Sequence, residues 1–200
     1  KDHGFDVTFS GRGANTKMNP HRLTGFATTD PKDPYRLDEK GIPRDEVTVN
    51  ALQFMEESKE QPFFLYYATW LVHYPIQSRS RELLEKYCDK LGVDFPVDPG
   101  YLPYKGQKNP YYCAMVEMLD AYVGQLIDYL ESTDDPRWPG HKLIENTYII
   151  FSSDNGGCVG YGETYTDNSP LDKGKSSARE GGTRVPLIIA GPGVKAKGKT

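Results

Sequence analysis

The 200 residues are 37% apolar and 12% aromatic and carry a formal charge of −4 with the two signs interspersed. That is apolar content for one core of ordinary domain size, and it leaves no basic stripe for nucleic acid and no apolar run long enough to span a membrane. Cys88, Cys113 and Cys158 are odd in number, far apart and outside any CxxC or Cys/His spacing, so buried thiols are expected rather than a disulfide framework or a zinc site. The chain opens on Lys1 with no leader, as expected of a processed or excised segment, and this carries no message about export.

In chain order, residues 1–40 are polar and rich in Gly, Pro, Asp and Thr, which predicts a long irregular excursion with short turns. Arg12, His21 and Arg22 lie in it, within the kind of loop that can touch an anionic substrate, although exposed loop charges are ordinarily just solvated. From 43 to 60 the apolar positions Val47, Ala51, Phe54 and Met55 fall on one face, predicting an amphipathic helix with Pro43 in its first turn and Asp45 and Glu46 at the positive end of the dipole. Residues 63–69 read as a strand buried on both faces. It is followed by a lone histidine, His73, just before Pro75; by itself such a ring reads as a satisfied structural residue. Leu83, Leu84, Tyr87 and Leu91 predict a helix over 81–91, the Gly- and Pro-rich stretch 92–110 a linker within the domain, and the repeat Met115, Leu119, Tyr122, Leu126, Leu130 the longest helix, opened by Asn109 and Pro110. His141, in the polar loop that follows, reads as a surface residue.

Residues 147–151 are β-branched and aromatic without a charge, a second strand expected to be buried on both faces. It ends abruptly on Ser152, Ser153, Asp154, Asn155, Gly156 and Gly157. Ligands of open α/β sheets bind at that end of a strand, and an adjacent carboxylate and carboxamide suit a hard cation such as Ca²⁺ or Mg²⁺. By residue type alone, Asp154-Asn155-Gly156 is also ordinary turn chemistry. Helices alternating with strands indicate an α/β domain with a mainly parallel sheet.

Several of these segments together resemble the sulfatase family of the alkaline phosphatase superfamily. They are the run Pro62, Phe63, Phe64, Leu65, Tyr66 followed by His73; the helix from Tyr112 to Leu126; the strand ending in Asp154 and Asn155; and the glycine-rich segment 170–186 leading into Leu187, Ile188, Ile189 and Ala190. The resemblance covers the chain from Gly4 onward. It implies that residues 1–200 are part of one sulfatase catalytic domain, with 1–42 an irregular loop region and 43–200 an α/β core portion, incomplete at both ends. It further implies that Asp154 and Asn155 bind Ca²⁺, that His73 faces the sulfate ester, and that Lys175, counted back from Glu180, Gly181 and Gly182, contacts the sulfate, with Lys173 as the competing lysine.

The implied activity is metal-dependent hydrolysis of a sulfate ester on a sulfated small molecule or sulfated carbohydrate, in a periplasmic, secreted or lysosomal setting. The chemistry needs such groups, because an anionic ester repels a nucleophile until cations hold its oxygens. Sulfatases take their nucleophile from a formylglycine made in a CxPSR-type run; no such run occurs among these residues. The chain alone is therefore expected to be inactive, with an open pocket and an uncovered sheet edge that favours association between copies. Two other readings stay open at this stage: a non-catalytic domain that binds sulfated or phosphorylated ligands, and a phosphate or phosphonate ester hydrolase of the same superfamily.

Overall fold

A computed structural model describes residues 4–18, 25–95, 108–159, 165–195 and 198. His21, Arg22 and most of the 92–110 linker lie outside the described residues. The chain divides into two compact units, Lys1–Gly100 with Pro110–Leu126 and Tyr101–Asn109 with Ile127–Thr200.

In the first unit the helices are α1 (Glu46–Ser58), α2 (Arg81–Leu91) and the first part of α3 (Pro110–Ser132). Asp45 rather than Pro43 opens α1. Its carboxylate accepts from the Thr48 N–H at 2.8 Å, while Pro43 sits before the helix in a bridge with Leu37. The buried face of α1 is Thr48, Ala51, Met55 and Ser58, so the polar Thr48 replaces the expected Val47; its hydroxyl is satisfied by Asp45 and by the Tyr67 phenol at 2.7 Å. Helix α2 has the expected bounds because both ends are chemically marked: the Ser80 hydroxyl accepts from the Leu83 N–H at 3.1 Å, and Gly92 closes the helix at φ 66°. Along α3, Tyr111, Ala114, Met115, Met118 and Tyr122 are buried, a stripe turned slightly from the expected one, and the Tyr122 hydroxyl donates to the Pro43 carbonyl at 2.7 Å.

The irregular N-terminal region is held to this helical core by buried polar side chains. Arg79 donates from Nε to the Ala14 carbonyl at 3.0 Å and also reaches the Thr16 and Gly25 carbonyls, and its guanidinium lies 3.7 Å over the Tyr35 ring. Asp45 accepts from the Ala14 N–H at 2.7 Å, and Gln77 bonds Met18 and Thr16. These side chains stand in for the ladder partners that a loop lacks. Gly13, at φ 50°, makes room for Asp45; a Cβ there would meet the Asp45 Oδ1 at 1.7 Å.

The predicted strand over 63–69 is not a strand in this structure. Its residues alternate between half-buried and exposed, with Phe64 73% and Tyr66 70% exposed, and no described strand pairs with it. Phe5 stacks against both rings instead, at 6.2 and 6.4 Å. The alternation is that of one face against a core, not of two.

In the second unit, β1 (Ile149–Ser152) pairs antiparallel with β2 (Leu187–Ala190), with Ile150 opposite Ile189. Among the described residues this is the one sheet. The strand at 147–151 thus starts two residues later than expected and is not buried on both faces: Ile150 is 68% exposed, and Leu187, Ile188 and Ile189 of β2 are exposed as well. A two-stranded ribbon has no neighbours to cover it, whatever the hydrophobicity of its sequence. Ahead of β1, buried Asp135 organises the loop, accepting from the Arg137 N–H at 2.8 Å, the Arg137 guanidinium and the Asn146 amide at 3.2 Å. Burial opposes its charge, but these bonds outweigh it and hold its carboxyl below the usual range.

A strand end and a glycine-stitched loop as candidate functional site

β1 delivers Ser153, Asp154 and Asn155 to a tight turn, closed by the Ser153 hydroxyl donating to the Asn155 carbonyl at 2.8 Å. The Asp154 carboxylate is exposed and has no hydrogen-bond or ion-pair partner among the described residues. Asn155 is half-buried; its Nδ2 donates weakly to the Gly156 carbonyl at 3.4 Å, and its Oδ1 accepts from no described residue. Turn chemistry and oxygen-donor chemistry thus coexist here, since the turn uses backbone and the Ser153 hydroxyl and leaves the two acidic and amide oxygens free.

The glycine-rich segment is sewn onto this turn. Gly156 N–H donates to the Gly182 carbonyl at 3.0 Å, Lys175 N–H to the Gly157 carbonyl at 2.9 Å, and Gly181 N–H to the Asp172 carbonyl at 2.8 Å. The glycines are required by closeness: a Cβ on Gly156 would lie 1.7 Å from the Gly181 carbonyl oxygen, one on Gly174 2.3 Å from that of Gly157, and one on Gly182 2.1 Å from that of Ser177. One side chain sits at the junction. Asn168 Nδ2 faces the Gly157, Lys173 and Gly181 carbonyls at 3.0, 3.1 and 3.4 Å. Sequence reasoning missed it; the only signal was its place in the turn-rich run Asp167, Asn168, Ser169, Pro170.

Within this unit the backbone of Lys175 is therefore tied two residues beyond Asn155. Lys175 is half-buried, whereas Lys173 is exposed at φ 64°, and neither forms an ion pair among the described residues. Arg179, by contrast, lies 3.8 Å from Asp172, and Arg184 3.6 Å from Glu180.

His73 belongs to the other unit. Its ring is exposed, packs edge-on against Trp70 with centroids 5.4 Å apart, and has Nδ1 3.1 Å from the Tyr74 carbonyl. The turn that carries it is fixed by Asn15, whose Nδ2 donates to the His73 carbonyl at 2.9 Å and to the Trp70 carbonyl at 3.3 Å. The His73 ring is thus exposed, with Nδ1 satisfied as a structural histidine's would be and Nε2 without a partner among the described residues. His141 is a surface residue as expected, stacked on Trp138 and bonded to Glu145 at 2.9 Å. A shallow cavity of about 220 Å³ in the first unit, lined by Pro31, Lys32, Asp33, Pro34, Arg36 and Arg44, contains none of the four candidate residues.

Free carboxylate and carboxamide oxygens at the end of a strand fit a hard divalent cation. No group of three His, Cys, Asp or Glu side chains gathers among the described residues, so Asp154 and Asn155 offer part of a calcium shell. None of the three cysteines forms a disulfide, with Cys88 buried and Cys113 and Cys158 half-buried; burial pushes the Cys88 and Cys113 thiols up, away from nucleophilic character.

The open Asp154 and Asn155 oxygens and the Lys175 backbone thus meet at one glycine-laced turn after β1. The chain belongs to the sulfatase family, whose model matches residues 1–200. Membership carries the α/β fold of the alkaline phosphatase superfamily. The chain is 41% identical over 138 residues to a sulfatase of Formosa agariphila, an alignment covering 68% of this chain and 22% of that protein. It is 30% identical over 157 residues to the N-acetylgalactosamine-6-O-sulfatase of Bacteroides thetaiotaomicron, covering 74% and 25%. With the arylsulfatase of Hemicentrotus pulcherrimus it shares 32% identity over 151 residues, covering 76% and 22%. The matched part of the chain thus corresponds to about a quarter of the length of these relatives.

Proposed function

We propose that the protein carrying this chain hydrolyses sulfate esters, and that these residues supply the cation ligands Asp154 and Asn155, the sulfate-binding Lys175 and the proton-handling His73. The observation that carries this reading is the bond from the Lys175 backbone N–H to the Gly157 carbonyl, which anchors the half-buried lysine residue to the same turn that presents the open Asp154 carboxylate. A bound Ca²⁺ would neutralise charge on the ester oxygens. Asp154 and Asn155 would hold it with side-chain oxygens. Lys175 would pair with a sulfate oxygen as charge builds in the transition state, where a fixed ammonium is worth more than in water. His73, with Nδ1–H donating to the Tyr74 carbonyl, would give the leaving oxygen its proton from Nε2 when the ring is in its doubly protonated imidazolium form.

The nucleophile is not assigned to any residue of this chain. The reading also carries the family's mainly parallel sheet, a sulfated carbohydrate or small sulfated molecule as substrate, and a periplasmic, secreted or lysosomal setting. No helix among the described residues is long and apolar enough to cross a membrane.

The test is turnover of an aryl sulfate by the protein carrying this chain. Lys175→Ala should lower kcat/KM about a hundredfold through lost charge stabilisation, and Lys173→Ala should leave it nearly unchanged. Equal losses at the two lysines would reject the lysine assignment. Full activity in His73→Ala would reject the histidine, and activity indifferent to a divalent-ion chelator and to Asp154→Ala would reject the metal ligands.

A further inference from the structure

We propose that Arg12, laid on the indole of Trp70 beside His73, is a specificity residue that binds a second anionic group of the substrate. This rests on the placement of His73 in the substrate site. Exposed loop arginines are ordinarily solvated and mobile, and three observations set Arg12 apart. Its guanidinium carbon lies over the Trp70 ring, 4.1 Å from the centroid, in cation–π contact. The same indole packs edge-on against the His73 ring at 5.4 Å. The backbone under all three is one rigid patch: Asn15 N–H donates to the Arg12 carbonyl at 2.9 Å, and the Asn15 side chain donates to the Trp70 and His73 carbonyls. Ala14, between them, is pinned by buried Asp45.

A guanidinium over an aromatic ring keeps its N–H donors for another partner, and among the described residues none of them meets a protein acceptor. This is a pre-organised fork for a sulfate or carboxylate, whose planar, two-point recognition is what arginine does better than lysine. A ligand whose one sulfate ester is handled at His73 would reach Arg12 with its next anionic substituent. The substrate class so selected is a saccharide with two anionic groups close together.

Calorimetric binding to the protein carrying this chain tests this with three probes: N-acetylgalactosamine 6-sulfate, N-acetylgalactosamine 4,6-disulfate, and an unsaturated uronate disaccharide of N-acetylgalactosamine 6-sulfate. Arg12→Ala removes no backbone bond, and it should weaken binding of at least one doubly anionic probe about tenfold while leaving the singly sulfated sugar unchanged. Arg12→Lys should recover part of that loss. Loss confined to the disulfate would identify a sulfate, and loss confined to the uronate a carboxylate. Equal effects on all three probes, no effect on any, or no binding of the doubly anionic probes by the unaltered protein would overturn the proposal. Turnover of the singly sulfated sugar by His73→Ala is measured beside it: unchanged turnover there would strike the placement of His73, whereas a probe-independent effect of Arg12→Ala strikes only the role of Arg12.

Discussion

Two loop regions of this molecule carry candidate site residues, and they are held in opposite ways. The N-terminal excursion within residues 1–40 is pinned by buried polar side chains, Arg79, Asp45 and Gln77, that reach across to its backbone. The turn-and-loop at 153–183 is held by the absence of side chains, with glycine backbones packed within van der Waals reach of carbonyl oxygens and a single carboxamide, Asn168, at the junction. The first arrangement fails when a side chain is removed and the second when one is added. Both solve the same problem, which is to satisfy buried backbone groups where no ladder exists.

The largest effect on global stability is expected from Arg79→Ala. It leaves the buried Ala14 carbonyl and the part-buried Gly25 carbonyl without their side-chain donor and the Thr16 carbonyl with Gln77 alone, at a cost of about 3 kcal/mol in urea-induced unfolding followed through Trp70 fluorescence. A loss no greater than that of a surface substitution would show that the excursion does not depend on this side chain.

Gly156→Ala attacks the other region. The added methyl must displace the Gly181 carbonyl, and about 3 kcal/mol of local stability should be lost, read as faster amide exchange at Gly156, Lys175 and Gly181. Asn168→Ala should have the same signature at smaller size, about 2 kcal/mol, since three carbonyls lose one shared donor while the glycine contacts remain. If Asn168→Ala proved the more damaging of the two, the carboxamide rather than close packing would be the chief restraint.

The smallest effect concerns acid. Burial works against the Asp33 charge, but the Tyr35 and Thr28 N–H groups, the Thr28 hydroxyl and nearby Arg79 outweigh it, so its pKa lies below the ordinary 3.8. A depressed carboxyl adds stability above its unfolded pKa and loses it as pH falls through the folded value. Amide exchange at Thr28 and Tyr35 should therefore accelerate below about pH 4. The stitches at Gly156, Gly157 and Asn168 contain no titrating group and should not respond; Asp167, also held below its usual range by Ser169, makes none of them. Equal acceleration in both regions would break the contrast.

How much was legible in the sequence follows the same division. The bounds of α2 could be read because Ser80 and Gly92 are local signals acting within one turn. Asp154, Asn155 and Lys175 are proposed from ordered motifs, and the structure ties the lysine's backbone to the turn after the strand. Arg79 and Asn168 could not be found, because their partners are carbonyls of residues without a distinguishing side chain, 54 to 65 positions away for Arg79. The burial of residues 63–69 and 147–151 was misjudged for a related reason: hydrophobicity shows what a strand would bury, while neighbours decide what is covered.

The neck of the segment between Cys158 and Thr166 is closed by the Thr166 hydroxyl donating to the Cys158 carbonyl at 3.1 Å, beside the Asn168 junction. Chain length beyond a closed neck is cheap, since doubling a loop costs only about 0.6 kcal/mol in closure entropy. Length on the inner side, between Asn168 and Gly182, has no such freedom, because one extra residue would move every carbonyl off its donor. Insertions should therefore accumulate in one arc and be purged from the other, so that relatives with different substrates vary in size at 159–165 while keeping the count from 168 to 182.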